Sequence, residues 1–136
     1  IDTPDGLIVP NIKNVDSKSI FQISNEVNEL ASLAKTRKLK VEQLKGATFT
    51  ISSLSGIGGK YFTPIINPPE VGILGLSKTY DSLSMIDKNI ITLKQLPISL
   101  SYDHRVINGA YAAKFIVELG NQLKQIDLFI RTFKES

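Results

Sequence analysis

Apolar positions recur at helical spacing in two stretches of the chain. Ile20, Ile23, Val27, Leu30 and Ala34 lay one stripe along residues 20–37, which predicts an amphipathic helix. Ser19-Ile-Phe-Gln22 opens it with a capping-box pattern, in which the serine caps and the glutamine reaches back. Ala112, Phe115, Ile116, Leu119, Leu123 and Ile126 draw the second stripe, in a closing helix that starts after Gly109. Between them the period changes to two. Over 47–53, Ala47, Phe49 and Ile51 take one face of a strand and Thr48, Thr50 and Ser52 the other. Further on, Leu96, Ile98, Leu100 and Tyr102 alternate with Pro97, Ser99, Ser101 and Asp103 in a long extended stretch. Pro97 cannot donate to a ladder, so it predicts an edge position or a bulge. Shorter strands are expected at 7–12, after the turn Thr3-Pro4-Asp5-Gly6, and at 71–76. A brief helix around 41–45 stops at Gly46, and Asp87-Lys88-Asn89 marks a turn.

The order strand, helix, several strands, helix predicts an α/β fold, an α+β two-layer sandwich with helices against one face of a mixed sheet. No repeat or linker divides the 136 residues, a length that suits one domain. An apolar share of 42% suffices for a core, and the apolar runs are far too short for a membrane span. The chain opens at Ile1 with no visible signal, so a processed chain or a fragment is expected. It contains no cysteine, which removes disulfides, thiolate metal sites and a thiol nucleophile, and one histidine excludes a histidine-rich metal site. The net charge of +3 is mild. Its only basic cluster, Lys35, Arg37, Lys38 and Lys40, falls where the first helix ends and complements the helix dipole. A nucleic-acid surface would show a basic stripe with interleaved aromatics. No metal, nucleic acid or membrane is therefore expected. The absent cysteines and signal point to a bacterial cytoplasm, with an organelle matrix as the alternative.

The sole histidine sits in Leu100-Ser-Tyr-Asp-His-Arg-Val-Ile-Asn-Gly109, between a strand and a helix. Sites on α/β scaffolds are commonly built at such turns, although a lone histidine is more often a surface or satisfied core residue. Asp103 and Arg105 flank it and read as a charge pair locking the turn. Ser52, on the polar side of its strand, reads by itself as a serine pointing at water. Gly56-Ile-Gly-Gly59 lacks the strand–glycine loop–helix order of a phosphate cradle and reads as a turn.

Taken together, these segments resemble a known family. Ser-Tyr-Asp-His-Arg-Val-Ile-Asn-Gly109 is similar to the D-H-R-x-x-D-G signature of the 2-oxoacid dehydrogenase acyltransferases, a branch of the chloramphenicol-acetyltransferase-like superfamily. Asp2-Thr-Pro-Asp-Gly-Leu-Ile-Val-Pro10, Gly46-Ala-Thr-Phe-Thr-Ile-Ser-Ser53 and Pro64-Ile-Ile-Asn-Pro-Pro-Glu-Val-Gly-Ile-Leu-Gly75 resemble three further stretches in the same order. The pyruvate branch is the nearest in feel, partly because some of its bacterial members carry Asn at the position of Asn108.

The resemblance implies that the chain is the carboxy-terminal part of the catalytic domain, without lipoyl or peripheral-subunit-binding domains. It implies transfer of an acyl group, by the branch an acetyl group, between dihydrolipoamide and coenzyme A, with the lipoyl group supplied in trans. His104 would be the general base, Ser52 the donor to the tetrahedral oxyanion, and Asn108 an orienter of the histidine loop. Asp5 and Gly6 would line the coenzyme A approach together with Ser52. Implied partners are a homotrimer that builds a larger core, the lipoyl domains, and the 2-oxoacid dehydrogenase and dihydrolipoamide dehydrogenase subunits. In this family serine and histidine come from neighbouring subunits, so the chain by itself is expected to associate but to be inactive. A scaffold fragment without activity, a succinyl or branched-chain transferase, and a different condensing acyltransferase of the same superfamily are the alternatives; the third is disfavoured by the Thr-Phe-Thr-Ile-Ser and Pro-Ile-Ile-Asn-Pro-Pro-Glu stretches.

Overall fold

The computed structural model describes residues 1–54 and 56–125, in two compact units, Ile1–Ala47 and a second that starts at Thr48. In the first unit, β1 (Asp2–Thr3) and β2 (Gly6–Leu7) form a minimal hairpin. The strand expected over 7–12 is confined to this ladder, followed by one more backbone bond from Ile8 to Ile1. Pro10 has no N–H with which to extend it. Helix α1 (Ile20–Lys35) begins as expected, with Ser19 accepting from Gln22 N–H and Gln22 Oε1 accepting from Ser19 N–H. Of its stripe, Leu30 and Ala34 are buried, whereas Ile20 and Val27 are exposed. The helix expected at 41–45 is a single 3-10 turn, Val41–Gln43.

The second unit is built on a three-stranded mixed sheet. β3 (Thr50–Ser53) runs parallel to β4 (Gly72–Leu76), and β4 runs antiparallel to β7 (Ile98–Tyr102). Central β4 is buried over its first four residues, which explains its continuous apolar run. The register sorts the side chains onto two faces. Ile51, Leu74 and Leu100 align on one, and Ser52, Gly75 and Ser99 on the other.

Helix α2 (Gly109–Lys124) lies by the first face, where its Gly109, Ala112, Ala113 and Ile116 line an open recess together with Ile98, Leu100 and Tyr102. Phe115 meets Phe49 with ring centroids 6.0 Å apart. Ala112 is the one buried member of the expected stripe; Ile116 and Leu119 are half-buried, Phe115 and Leu123 are exposed, and Ile126 lies outside the described residues. Phe62 lies over the second face. A Cβ on Gly75 would stand 2.5 Å from Ser99 Oγ and 2.9 Å from Phe62 Cζ, so the ring fits only because residue 75 is glycine.

The extended stretch predicted after residue 89 is two strands, residues 89–95 and β7, and the strand before the turn at 87–89 was not expected. β5 (Tyr80–Ile86) and β6 (Asn89–Gln95) pair as a hairpin, closed by Asp87 and Lys88 at φ 50 and 66. Two consecutive positive φ values are what a twisted two-residue hairpin turn demands. Leu96 and Pro97 break the run before β7, which pairs with β4 and is an edge strand among the described residues. Pro97 contributes its carbonyl, which accepts from Ser77 N–H at 3.1 Å. Pro64, Pro68 and Pro69 stand in a strandless segment, and the Pro68–Pro69 bond is cis.

Candidate active site

β7 delivers the chain into a tight turn whose two ends are pinned. At the entry, Asp103 N–H donates to Val71 O at 2.9 Å, and Asp103 O accepts from Val106 and Ile107 at 3.0 and 2.9 Å. The Asp103 carboxylate accepts from Arg105 N–H at 3.0 Å, from Nε at 3.0 Å and from Nη2 at 2.7 Å. Arg105's side-chain bonds lead in lowering the Asp103 pKa to about 2, helped by its backbone N–H, and the same pairing raises the guanidinium pKa. The charge pair expected from the sequence is thus present.

At the exit, Asn108 is the N-cap of α2. It stands at φ −81, ψ 158, and its Oδ1 accepts from Tyr111 N–H at 2.9 Å. Caps of this kind satisfy one of the donors that a helix start leaves orphaned. The sequence pointed to an orienting role for Asn108, but the cap itself was readable too: Asn directly before the residue at which the helix starts, Gly109, is a helix-start signal.

Between the two anchors His104 is exposed. Its ring lies against Tyr102, centroids 5.6 Å apart and planes at 39°. Among the described residues, neither ring nitrogen has a hydrogen-bond partner. Gly109 keeps the space beside it open: a Cβ there would stand 4.0 Å from Nε2 and 3.5 Å from Tyr102 Oη.

Ser52 is half-buried on the face that Phe62 covers, and its hydroxyl makes no hydrogen bond to another described residue. Its strand reverses the burial expected from polarity. Thr50 and Ser52 are the half-buried residues, whereas Ile51 is 61% exposed.

Within one chain Ser52 and His104 do not meet. Ser52 aligns with Gly75 and Tyr102 with Gly72, so the two are separated by two strand spacings and three residues along β4. That makes about 14 Å between Ser52 and Tyr102, and His104 lies beyond. Groups acting on one tetrahedral centre each approach it to roughly 3 Å, which this arrangement does not permit. Asp5 and Gly6 belong to the first unit. The Asp5 carboxylate is held by Arg37 at 2.6 Å, and Gly6 has φ 112 in the hairpin turn. Among the described residues no group of His, Cys, Asp or Glu is placed to hold a metal ion, and no helix is long and apolar enough to cross a membrane.

Residues 1–131 match the 2-oxoacid dehydrogenases acyltransferase (catalytic domain) family. The dihydrolipoyllysine-residue acetyltransferase component of the pyruvate dehydrogenase complex of Cupriavidus necator is 52% identical over 122 residues, which are 90% of this chain and 22% of that protein. Among solved structures, the fold superposes with TM-score 0.89 and 52% identity on Azotobacter vinelandii dihydrolipoamide acetyltransferase, investigated for the roles of a serine, a histidine and an asparagine in its catalytic mechanism. The cubic core of the pyruvate dehydrogenase multienzyme complex gives the same TM-score and identity. The chain is 96% covered in both and spans 54% of their chains, so the mixed-sheet fold expected from the sequence is the fold of these neighbours.

Proposed function

The chain belongs to the 2-oxoacid dehydrogenase acyltransferase family, and from that premise we propose that it forms part of a catalytic domain that moves an acetyl group between dihydrolipoamide and coenzyme A. The observation that carries the reading is spacing on a matching fold. The serine, histidine and asparagine investigated in the Azotobacter enzyme have the same separations along the chain as Ser52, His104 and Asn108.

The residues suit the chemistry. A free thiol has a pKa near ~8.5 and an imidazole near ~6.5, so a positioned histidine takes the thiol proton near neutral pH. His104 removes the proton from coenzyme A, and the thiolate adds to the thioester carbon of acetyl-dihydrolipoamide. The carbonyl oxygen becomes an oxyanion, to which the Ser52 hydroxyl donates. Collapse expels the dihydrolipoamide thiolate, which recovers the proton from the imidazolium. Asn108, by starting α2, fixes the far end of the loop that presents His104.

The distance between Ser52 and His104 in one chain supports a site completed by a second copy, with Ser52 of one subunit serving His104 of the next. Exposed apolar side chains fit an assembling subunit: Leu7 is 75%, Ile65 89% and Met85 75% exposed. A trimer that builds a larger core follows, with the lipoyl group brought by a lipoyl domain and the dehydrogenase subunits as further partners. Asp5 and Gly6 are assigned to the coenzyme A approach, and the setting is a bacterial cytoplasm.

The test is turnover of the full-length protein with acetyl-dihydrolipoamide and coenzyme A. His104→Ala should lower kcat by at least ~10²–10⁴, and Ser52→Ala by roughly 10²–10³ with little change in KM. A folded His104→Ala protein with near-normal turnover contradicts the assignment.

A further inference from the structure

The second unit buries one carboxylate that the acyl-transfer chemistry leaves unused. Glu70 is 8% exposed, and its Oε2 has no hydrogen-bond partner among the described residues. Taking an ionised carboxylate out of water is costly, so buried carboxylates are paired with a cation or bind a metal. The described cations do not supply the pair. Among the described residues the ion pairs join Lys18 to Glu26, Arg37 to Asp5, Lys94 to Asp81 and Arg105 to Asp103. Arg105, in the turn that follows β7, is thus engaged by Asp103 at 2.7 Å, with its side chain 90% exposed. A metal fits less well than a basic side chain, since no further His, Cys, Asp or Glu among the described residues joins Glu70 in a set that could hold one.

The position of Glu70 in the fold links this charge to the histidine. Its N–H donates to Asn67 O at 3.0 Å, closing a turn over Pro68 and Pro69, whose rings fix φ in the segment. The next residue, Val71, presents the carbonyl that accepts from Asp103 N–H at 2.9 Å, the entry anchor of the His104 turn. β4 and β7 pair Gly72 with Tyr102, and the Asp103–Val71 bond continues that antiparallel ladder by one step. One step further, the register sets Glu70 level with His104. A partner that fixes the Glu70 carboxylate therefore also fixes the strand from which the histidine turn is hung.

We propose that Glu70 is a positioning residue for His104, its carboxylate receiving a guanidinium or ammonium group from outside the described residues. That group belongs to the remainder of the polypeptide or to a second copy; the chain spans 54% of the chains of the two solved structures compared above. The inference rests on the transfer reading, in which His104 must stand within hydrogen-bond reach of the thiol. Misplacing a catalytic group by about 1 Å costs roughly 10²-fold in rate. A charge-assisted hydrogen bond at Glu70 is directional and roughly twice as strong as a neutral one, which suits an anchor that must hold such a position.

The structure of the assembled full-length protein, by electron microscopy, reads the partner directly. An Arg or Lys nitrogen within about 3.2 Å of Oε2 is expected, and the segment that carries it separates the two sources. Water or backbone N–H groups alone at Oε2 overturn the pair. Turnover and amide exchange are then compared for the wild type, Glu70→Gln, Glu70→Asp and Glu42→Gln, an exposed acid on the 3-10 turn of the first unit. Glu70→Gln keeps the shape and removes the charge. Its kcat should fall at least ~10-fold with KM for coenzyme A near wild type, and exchange at the Asp103 amide should quicken. Glu70→Asp keeps the charge on a shorter arm and should recover part of both, and Glu42→Gln should match the wild type. Unchanged kcat and Asp103 exchange in Glu70→Gln overturn the positioning role, as does a loss confined to KM. If Glu70→Gln does not fold, Glu70→Asp and the wild-type structure carry the test. A wild-type protein that transfers no acyl group would contradict the transfer reading, while the partner at Oε2 and the exchange at Asp103 would still decide whether Glu70 anchors the turn.

Discussion

Replacing Asn108 by alanine removes the acceptor that Tyr111 N–H uses at 2.9 Å and leaves that donor at the start of α2 unpaired. Losing a side-chain cap costs about 1 kcal/mol, within a range of roughly 0.5–2. That energy falls on the first turn of α2, which is also the anchor at the exit of the His104 loop. Asn108→Asp keeps an oxygen in place and puts a negative charge at the positive end of the helix, a gain of roughly 0.3–1 kcal/mol. Asn108→Ser keeps the cap with no amide. Amide exchange reads the local opening directly. About 1 kcal/mol corresponds to roughly fivefold faster exchange at Tyr111 in the Ala variant, with the Asp and Ser variants close to wild type. Turnover should follow the same order, with Ala reduced and Asp and Ser largely retained. Unchanged exchange in Asn108→Ala would refute the capping role. Loss of turnover in all three variants, with exchange normal in Asp and Ser, would show that the amide itself acts at the reaction centre.

Gly75→Ala places a methyl 2.5 Å from Ser99 Oγ and 2.9 Å from Phe62 Cζ; overpacking should cost roughly 1–3 kcal/mol in chemical denaturation, and a neutral effect would mean that Phe62 does not lie on the Ser52 face. Asp103 has its pKa lowered to about 2 by Arg105. Since the folded value is depressed, the stability it contributes is fully present above the ordinary carboxylate range, near ~3.9, and is lost as pH falls through about 2. A carboxyl carbon titration by NMR should give that low midpoint, and in Arg105→Gln, which keeps the backbone N–H of residue 105, the Asp103 midpoint should rise toward its ordinary value but stay below it.

The helices were legible because each carries its own start signal. Ser19 with Gln22 opens α1, and Asn108 stands one residue before α2. The strands were legible only in part. β5, with Ser82 and Ser84 on one face and Leu83 and Met85 on the other, pairs only with β6 in the described sheets, and its apolar face is exposed, so no buried stripe marks it. β6 and β7 merged in the sequence because alternation continues through Pro97, and only pairing partners distinguish them. The His104 turn could be placed from the chain order of Asp103, Arg105 and Asn108. The separation of Ser52 from His104 could not, since it depends on the register of β3, β4 and β7, which are distant in sequence.

A site shared between two copies is the central claim, and subunit mixing tests it most directly. Full-length Ser52→Ala and His104→Ala proteins, each inactive alone, are dissociated, combined in equal amounts and reassembled, with exchange verified by mass spectrometry. A Ser52→Ala subunit keeps His104, and a His104→Ala subunit keeps Ser52. With random assembly in a cyclic oligomer, roughly a quarter of the interfaces then join two intact residues, and about that share of wild-type turnover should return. Thoroughly exchanged mixtures as inactive as their parents would place Ser52 and His104 of a working site in the same subunit and contradict the account.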